Sequence, residues 1–306
     1  MKILLFADMH LRSASDRPKW RIDDHYESQF AELNEIRDIA QANKVDLMVS
    51  LGDFFDHTRV SYQLVTDVLN WCGTLPCSLY SIVGNHDVNA YVTSDRNNGL
   101  GVLFEAGAVQ QLDDLVFDAQ KVIIRGIHAY LDPRNGNYLF DNKYKDYFKL
   151  VASHNFIIPH QVPFEAVLPS QVQTNATAVV LGHYHKAFNH MEGPTLFINP
   201  GSISRWAVNE QHQPYVFILD TAVGVFNPVQ LKSSLPANEI FDLVGAAEMK
   251  ENEMNLQTFV DSLENTSFEN VDVEQVVLTE GTKQGILRVI LDMALAKVQQ
   301  AKEQIK

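Results

Sequence analysis

Cysteine is scarce: the 306 residues hold two, Cys72 and Cys77. They lie five apart with no second pair to complete a zinc site. Both read as reduced, half-buried thiols of a cytoplasmic protein, which excludes a disulfide framework and a thiolate metal centre. Long apolar runs are missing too. No stretch approaches the roughly 20 residues of a membrane span. The opening MKILLFADMH, one lysine and a short apolar run before Asp8, falls short of a secretory signal. No membrane partner is therefore expected. Positive charge is also short, with 24 Lys and Arg against 38 Asp and Glu and a net charge of −14. Such a surface has no general attraction for a phosphate backbone, so contact with nucleic acid needs a local basic patch or bound cations. The sequence contains neither an internal repeat nor a low-complexity tract.

The acidity is uneven. Residues 237–280 hold 11 acids and one base, Lys250. After Pro236 the pattern turns helical. Leu256, Phe259, Val260 and Leu263 share one face, and the last segment, beginning at Gly285, is apolar nearly all round in its first half, which calls for burial or a partner. These shifts predict one domain over residues 1–235 and an acidic, mainly helical cap or partner-binding region over 236–306.

Short apolar runs are abundant: ILLFA (3–7), VDLMVSL (45–51), SLYSIV (78–83), KVIIRGI (121–127), KLVAS (149–153) and AVVL (178–181). They read as buried parallel strands. Helical stripes fall between them, with Phe30, Leu33, Ile36 and Ile39 or Ala40 in one and Val65, Val68, Leu69 and Cys72 in the next. Alternation of this kind predicts an α/β layered domain. TLFINP (195–200), YVFILD (215–220) and VGVFNPVQL (223–231) predict a second, partly antiparallel sheet.

Polar groups follow five of these runs at once. ILLFA leads to Asp8 and His10, VDLMVSL to Gly52-Asp53, SLYSIV to Gly84-Asn85-His86-Asp87, KLVAS to His154, and AVVL to Gly182-His183-Tyr184-His185. Ligands of open α/β sheets bind beyond the carboxyl ends of strands. Each residue alone has an ordinary reading, because Gly-Asp is a common turn and a lone histidine is usually a loop residue. GNHD and GHYH are more specific, since turns do not need histidine. Seven oxygen and nitrogen donors (Asp8, His10, Asp53, Asn85, His154, His183, His185) exceed one ion's needs. They suit two divalent ions about 3.5–4 Å apart that share a carboxylate. Such mixed donors suit manganese, iron or zinc, and no thiolate forces zinc; the expected pair is Mn2+, with Fe, Zn or Mg as alternatives. Two such ions acidify a bridging water into a hydroxide nucleophile and neutralise phosphate oxygens, while a nearby histidine protonates the leaving oxygen.

The series D-x-H, GD, GNHD, an isolated His and GHxH resembles the calcineurin-like metallophosphoesterases over roughly residues 1–220. The resemblance implies a four-layer α/β/β/α sandwich of two mixed sheets flanked by helices. It implies one metal on Asp8, His10 and His185, a second on Asn85, His154 and His183, and Asp53 bridging. His86 is then the catalytic acid, and Asp87 orients it. DMHLR and GDFFD, with Asp56 three residues after Asp53, and INPGSISR (198–205) are similar to the SbcD type of DNA-repair exonuclease. That similarity implies DNA as substrate, a homodimer contact near residues 60–72 and an SbcC-type ATPase partner. The roughly 75 residues after the core are short for both a capping domain and an ATPase-binding segment.

The loop HLRSASDRPKWR places Arg12, Arg17, Lys19 and Arg21 with Trp20 after the first motif. These residues and His57 are substrate-contact candidates, four bases and an indole able to grip phosphates and stack a base. Arg96 is a further candidate. The leading expectation is a dimetal DNA exo- or endonuclease in repair or recombination. The alternative is a phosphodiesterase or phosphatase for small molecules or cyclic nucleotides, favoured by the acidic composition. A non-catalytic scaffold on the same fold, as in a retromer subunit, has no need of a full ligand set and His86.

Overall fold

The apolar runs pair into two stacked sheets. The computed structural model describes residues 1–88, 98–163, 165–264 and 273–304, and Arg96 lies outside them. The chain forms two compact units, Met1–Phe241 and Asp242–Lys306.

In the first unit the strands are β1 (Lys2–Phe6), β2 (Leu47–Ser50), β3 (Leu79–Ser81), β4 (Gln110–Gln111), β5 (Asp114–Phe117), β6 (Val122–Ile127), β7 (Phe148–Ser153), β8 (Ala178–Leu181), β9 (Phe188–Glu192), β10 (Thr195–Asn199), β11 (Tyr215–Asp220) and β12 (Val225–Gln230). The helices are α1 (His25–Asn43), α2 (Tyr62–Cys72), α3 (Gly99–Glu105) and α4 (Ala237–Ile240). One sheet has the order β12-β11-β1-β2-β3-β4 and the other β5-β6-β7-β8-β10-β9. Both are mixed. Strands β1 to β4 run parallel, β11 pairs antiparallel with β1, and β12 pairs antiparallel with β11 at the edge. Strands β6, β7, β8 and β10 run parallel between antiparallel β5 and β9.

Burial on both faces explains why the inner strands are continuously apolar. Ile3, Leu5, Val49 and Leu51 pack between the sheets against Val122, Ile124, Ala152 and Val180. Leu4, Phe6 and Met48 face the helices, against Leu33, Ile36 and Ala40 of α1 and Leu64, Val68 and Trp71 of α2. Helix α1 begins where the Asp24 side chain accepts from the amides of Tyr26 and Glu27, satisfying two orphan donors. The Trp71 indole N–H donates to the Leu33 carbonyl at 3.0 Å and locks α2 to α1. The far face of the second sheet is covered by the 131–176 segment through Tyr138, Phe140, Ile157 and Val172.

Two expectations are corrected. The run of strands after residue 195 does not form its own sheet. β10 joins β8 in the second sheet, while β11 turns back to pair with β1 in the first. Periodicity identifies a strand but carries no information about its partner. The buried stripe of α2 centres on Leu64, Val68 and Trp71, and Val65 and Leu69 are only partly buried.

The first unit extends six residues past the boundary expected after 235. Ile22 donates to the Ile240 carbonyl at 2.9 Å, and Arg21 bridges to Phe241. The second unit is helical among its described residues, with α5 (Leu243–Glu264), α6 (Val273–Lys283) and α7 (Arg288–Gln304). Val277, Ile286 and Leu291 form a small core there. Helix α5 covers the expected stripe at 256–263, but its side chains Leu256, Phe259, Val260 and Leu263 lie outside the described residues. No described helix is long and apolar enough to cross a membrane. Burial of Cys72 pushes its thiol up to about 12.

Candidate dimetal phosphoesterase site

Five strands end along one rim. β1, β2 and β3 come from one sheet and β7 and β8 from the other, and the donor residues follow each end. The loops after β1 and β2 are joined by main-chain bonds, His10 N to the Asp53 carbonyl and Leu11 N to the Phe54 carbonyl, both 3.0 Å. Four donor residues sit in the left-handed region: Asp8 at φ 54°, His10 at 42°, Asp53 at 48° and His183 at 70°. Such conformations cost non-glycine residues free energy and concentrate at functional sites. Two of the glycines are explained by close approach. A Cβ at Gly52 would lie 2.5 Å from Nδ1 of His154, and one at Gly84 would collide with the side chain and amide of Asp53.

The structure brings all seven predicted donors together. Asp8, His10 and His185 form one cluster and Asp53, His154 and His183 a second. Nε2 of His10 lies 3.0 Å from Nε2 of His185. Oδ1 of Asn85 lies 2.6 Å from Nδ1 of His183 and 3.1 Å from Nε2 of His154. Oδ2 of Asp53 lies 3.1 Å from Nε2 of His154 and 3.7 Å from Nε2 of His10, so it faces both clusters.

The donor set fits two divalent ions, and the outer contacts of its imidazoles fix which nitrogen faces inward. His154 donates from Nδ1 to the Leu51 carbonyl at 2.6 Å, and Nδ1 of His185 is held by Glu210. Nδ1 of His10 lies 3.0 Å from Oδ1 of Asp56. Each arrangement frees Nε2 for a metal, the usual outer support of histidine ligands. The charge balance agrees. Asp8 and Asp53 are essentially fully buried, and buried carboxylates require positive charge beside them. Burial raises the Asp8 carboxyl. Burial also acts on Asp53, but the imidazoles of His154, His10 and His86 outweigh it and hold its carboxyl below the usual range. Burial opposes a charge on His154, yet Asp53 and Asp8 push it up to about 9. Burial and His154 lower His183 to about 4.

His86 stands beside the first cluster, its ring centroid 4.6 Å from that of His10. Its amide donates to Oδ1 of Asp53 at 2.8 Å, and its Nδ1 donates to the Asp56 carbonyl at 2.8 Å. The expectation that Asp87 steadies this ring is corrected. Asp87 accepts from the amides of Gly84 (2.9 Å), Phe54 (3.1 Å) and Phe55 (3.2 Å) and so ties two ligand loops together. The tight turn after Gly84 directs its carboxylate back into the backbone, and Asp56 is the carboxylate near the ring, at 3.5 Å from Nδ1.

The basic loop divides. Arg12, Arg17, Lys19 and Trp20 line a groove of about 530 Å³ with Trp206 and Asn209. Arg12 is also paired with Asp56 at 2.6 Å. Arg21 turns away from this groove, forming a two-point ion pair with Asp23 (2.7 and 2.6 Å) and donating to the Arg205 carbonyl. His57 is exposed and lies between Asp16 (3.0 Å) and Asp56 (3.2 Å).

Sequence reasoning missed Glu210 and Trp206. Glu210 holds His185 while accepting from the amides of Trp206 (2.8 Å) and Ala207 (2.9 Å). Neither residue belongs to a motif, and their only sequence signal is position shortly after Pro200-Gly201-Ser202.

Among curated proteins, the chain is 25% identical over 263 residues to the double-strand break repair protein MRE11 of Encephalitozoon cuniculi. The match covers 72% of this chain and 45% of that protein, so the chain spans less than half of its relative's length. Similar solved structures include an archaeal phosphodiesterase (16% identity, TM-score 0.42), with 76% of this chain and 100% of that one covered. Another is a dimetal phosphatase from Danio rerio (13% identity, TM-score 0.48), with 71% and 92% covered. The family model described as calcineurin-like phosphoesterase matches residues 1–187, the stretch that carries all seven donors, and on that match the chain belongs to the calcineurin-like phosphoesterases, metal-dependent enzymes that hydrolyse phosphoester bonds.

Proposed function

We propose that this protein is a DNA exo- or endonuclease of the SbcD type, active in the repair or recombination of DNA ends. The observation that carries the reading is the groove of Arg12, Arg17, Lys19 and Trp20 opening beside the Asp8–His10–His185 cluster. An otherwise acidic chain has little reason to set cations and an indole there unless a nucleic-acid strand lies alongside. The similarity to a double-strand break repair protein supports the same reading.

In this reading Asp8, His10 and His185 would hold one divalent ion and Asn85, His154 and His183 the other, with Asp53 facing both clusters and Mn2+ as the native metal. Bound there, the two ions supply an acidified water and neutralise charge on the phosphate. His86 hands a proton from Nε2 to the leaving oxygen, since its Nδ1 is engaged by the Asp56 carbonyl. Asp53 fixes the backbone of His86 through its amide. The helical unit 242–306 serves as a cap or as the docking segment for an ATPase partner.

The test is cleavage of end-labelled duplex, hairpin and single-stranded DNA with Mn2+, with Mg2+ and with neither. Metal-dependent shortening is expected. Turnover of a small diester with every DNA substrate left intact would overturn the nuclease reading in favour of a small-molecule phosphodiesterase, which the net charge of −14 favours.

A further inference from the structure

Trp206 has no place in the ligand set, yet it sits against it. Its ring centroid lies 6.0 Å from that of His10 and 6.3 Å from that of His185. The Arg12 guanidinium covers it at 5.2 Å, and the Lys19 ammonium lies 5.1 Å from the ring of Trp20. The two indoles, three cations and Asn209 line one groove. Trp206 is only partly buried, and its indole N–H makes no hydrogen bond among the described residues, so the ring is not serving as an anchoring donor. Its backbone, by contrast, is held firmly. Glu210 accepts from the amides of Trp206 and Ala207 and grips Nδ1 of His185 with its other oxygen. One carboxylate therefore fixes the position of a donor histidine and the position of the indole together.

We propose that this groove is a nucleobase subsite. An unpaired base next to the scissile phosphate stacks on the face of Trp206 that Arg12 leaves open, with Arg17 and Lys19 facing its flanking phosphates, Arg12 held by Asp56 and Asp16 as the ring's backing, and Trp20 bordering the neighbouring nucleotide. The inference rests on the nuclease reading and narrows its substrate class to strands with an unpaired nucleotide at the cleavage point. The chemistry selects this occupant over others. Stacking on an indole requires an accessible π-face, which an internal paired base does not offer and an unpaired or frayed base does. The adjoining cations complement phosphate rather than a neutral aromatic ligand. Because the indole lies one ring away from His10 and His185, a base held there belongs to the nucleotide whose phosphate meets the metal ligands.

The test compares wild-type protein, Trp206→Ala and Trp206→Phe with Mn2+. The substrates are a single-stranded oligonucleotide and the same strand with an abasic residue at either nucleotide flanking the cleaved phosphate. Trp206→Ala is expected to raise KM for the intact strand about tenfold or more, and Trp206→Phe to recover most of the loss. Removing the base on the stacking side should weaken wild-type binding similarly, and the Trp206→Ala penalty should shrink on that strand, since mutation and base removal delete one contact. A penalty of equal size on intact and abasic strands would overturn the proposal and assign Trp206 to packing against His10 and His185. An unchanged KM for Trp206→Ala on the intact strand would overturn it too. Wild-type protein that cleaves a small diester but no oligonucleotide would instead sink the nuclease reading itself.

Discussion

The carboxylate of Asp56 lies 3.0 Å from Nδ1 of His10, while Nε2 of the same ring faces His185 at 3.0 Å. Asp56 thus places a carboxylate against the outer nitrogen of His10 as a charge partner, without a hydrogen bond between the two atoms, and favours Nε2 turning inward. Replacing it with alanine is expected to weaken divalent-metal binding about 10–100-fold, the usual cost of losing such support. Asp56→Asn, which keeps an acceptor oxygen, should lose less. Calorimetric titration with Mn2+ measures both, and equal affinity in all three proteins would mean that packing alone orients the ring.

Asn85 and His86 are adjacent but face different tasks. Asn85→Ala should reduce metal binding, because its Oδ1 stands 2.6 Å from His183 and 3.1 Å from His154. His86→Ala should retain both ions and lose about 10²–10⁴-fold in kcat. Metal content by mass spectrometry, read beside turnover, separates them. A His86→Ala protein depleted of metal would reassign His86 as a ligand.

Gly84→Ala should destabilise the fold, because the added methyl meets the side chain and amide of buried Asp53. Overpacking of this kind costs about 1–3 kcal/mol. Urea unfolding gives the number, and a midpoint equal to wild type would show that the Asp53 loop shifts freely.

Glu32, on α1 and far in sequence from the donors, supplies a pH signature of stability. Burial pushes its carboxyl from 4.5 up to about 7, against the pull of Ser234 and Arg205. The folded state holds this proton more tightly than the unfolded chain. Its contribution is therefore complete below pH 4.5 and is lost as pH rises through about 7. Wild-type stability relative to Glu32→Gln should fall across that window by up to about 3 kcal/mol. Parallel urea-derived profiles for the two proteins would refute it.

The donor residues were legible because each follows an apolar strand run, and the ends of parallel strands are where a sheet exposes polar groups. What escaped is tertiary. Nothing near Glu210 announces that it reaches His185, since the contact depends on how the loop after Gly201 folds over the rim. Asp87 was misjudged because adjacency in sequence suggests a side-chain contact with His86, whereas the turn sends its carboxylate to the amides of Phe54, Phe55 and Gly84. Strands β11 and β12 were readable as strands, but not the pairing of β11 with β1 that adds both to the first sheet. The strand β9, FNHME, was missed because an edge strand with polar side chains lacks an apolar run.

The left-handed backbone at Asp8, His10, Asp53 and His183 bears on whether this site is portable. Writing D-x-H, GD and GHxH into an unrelated scaffold would transfer the donor atoms and leave behind the turns that aim them. Relaxed into ordinary conformations, the same side chains would diverge. A transplant must therefore carry the strand termini of both sheets, with Asp87 clasping the loops after β2 and β3 and Asp8 accepting from the His183 amide across to the other sheet, and the smallest exchangeable part of this protein is the whole rim.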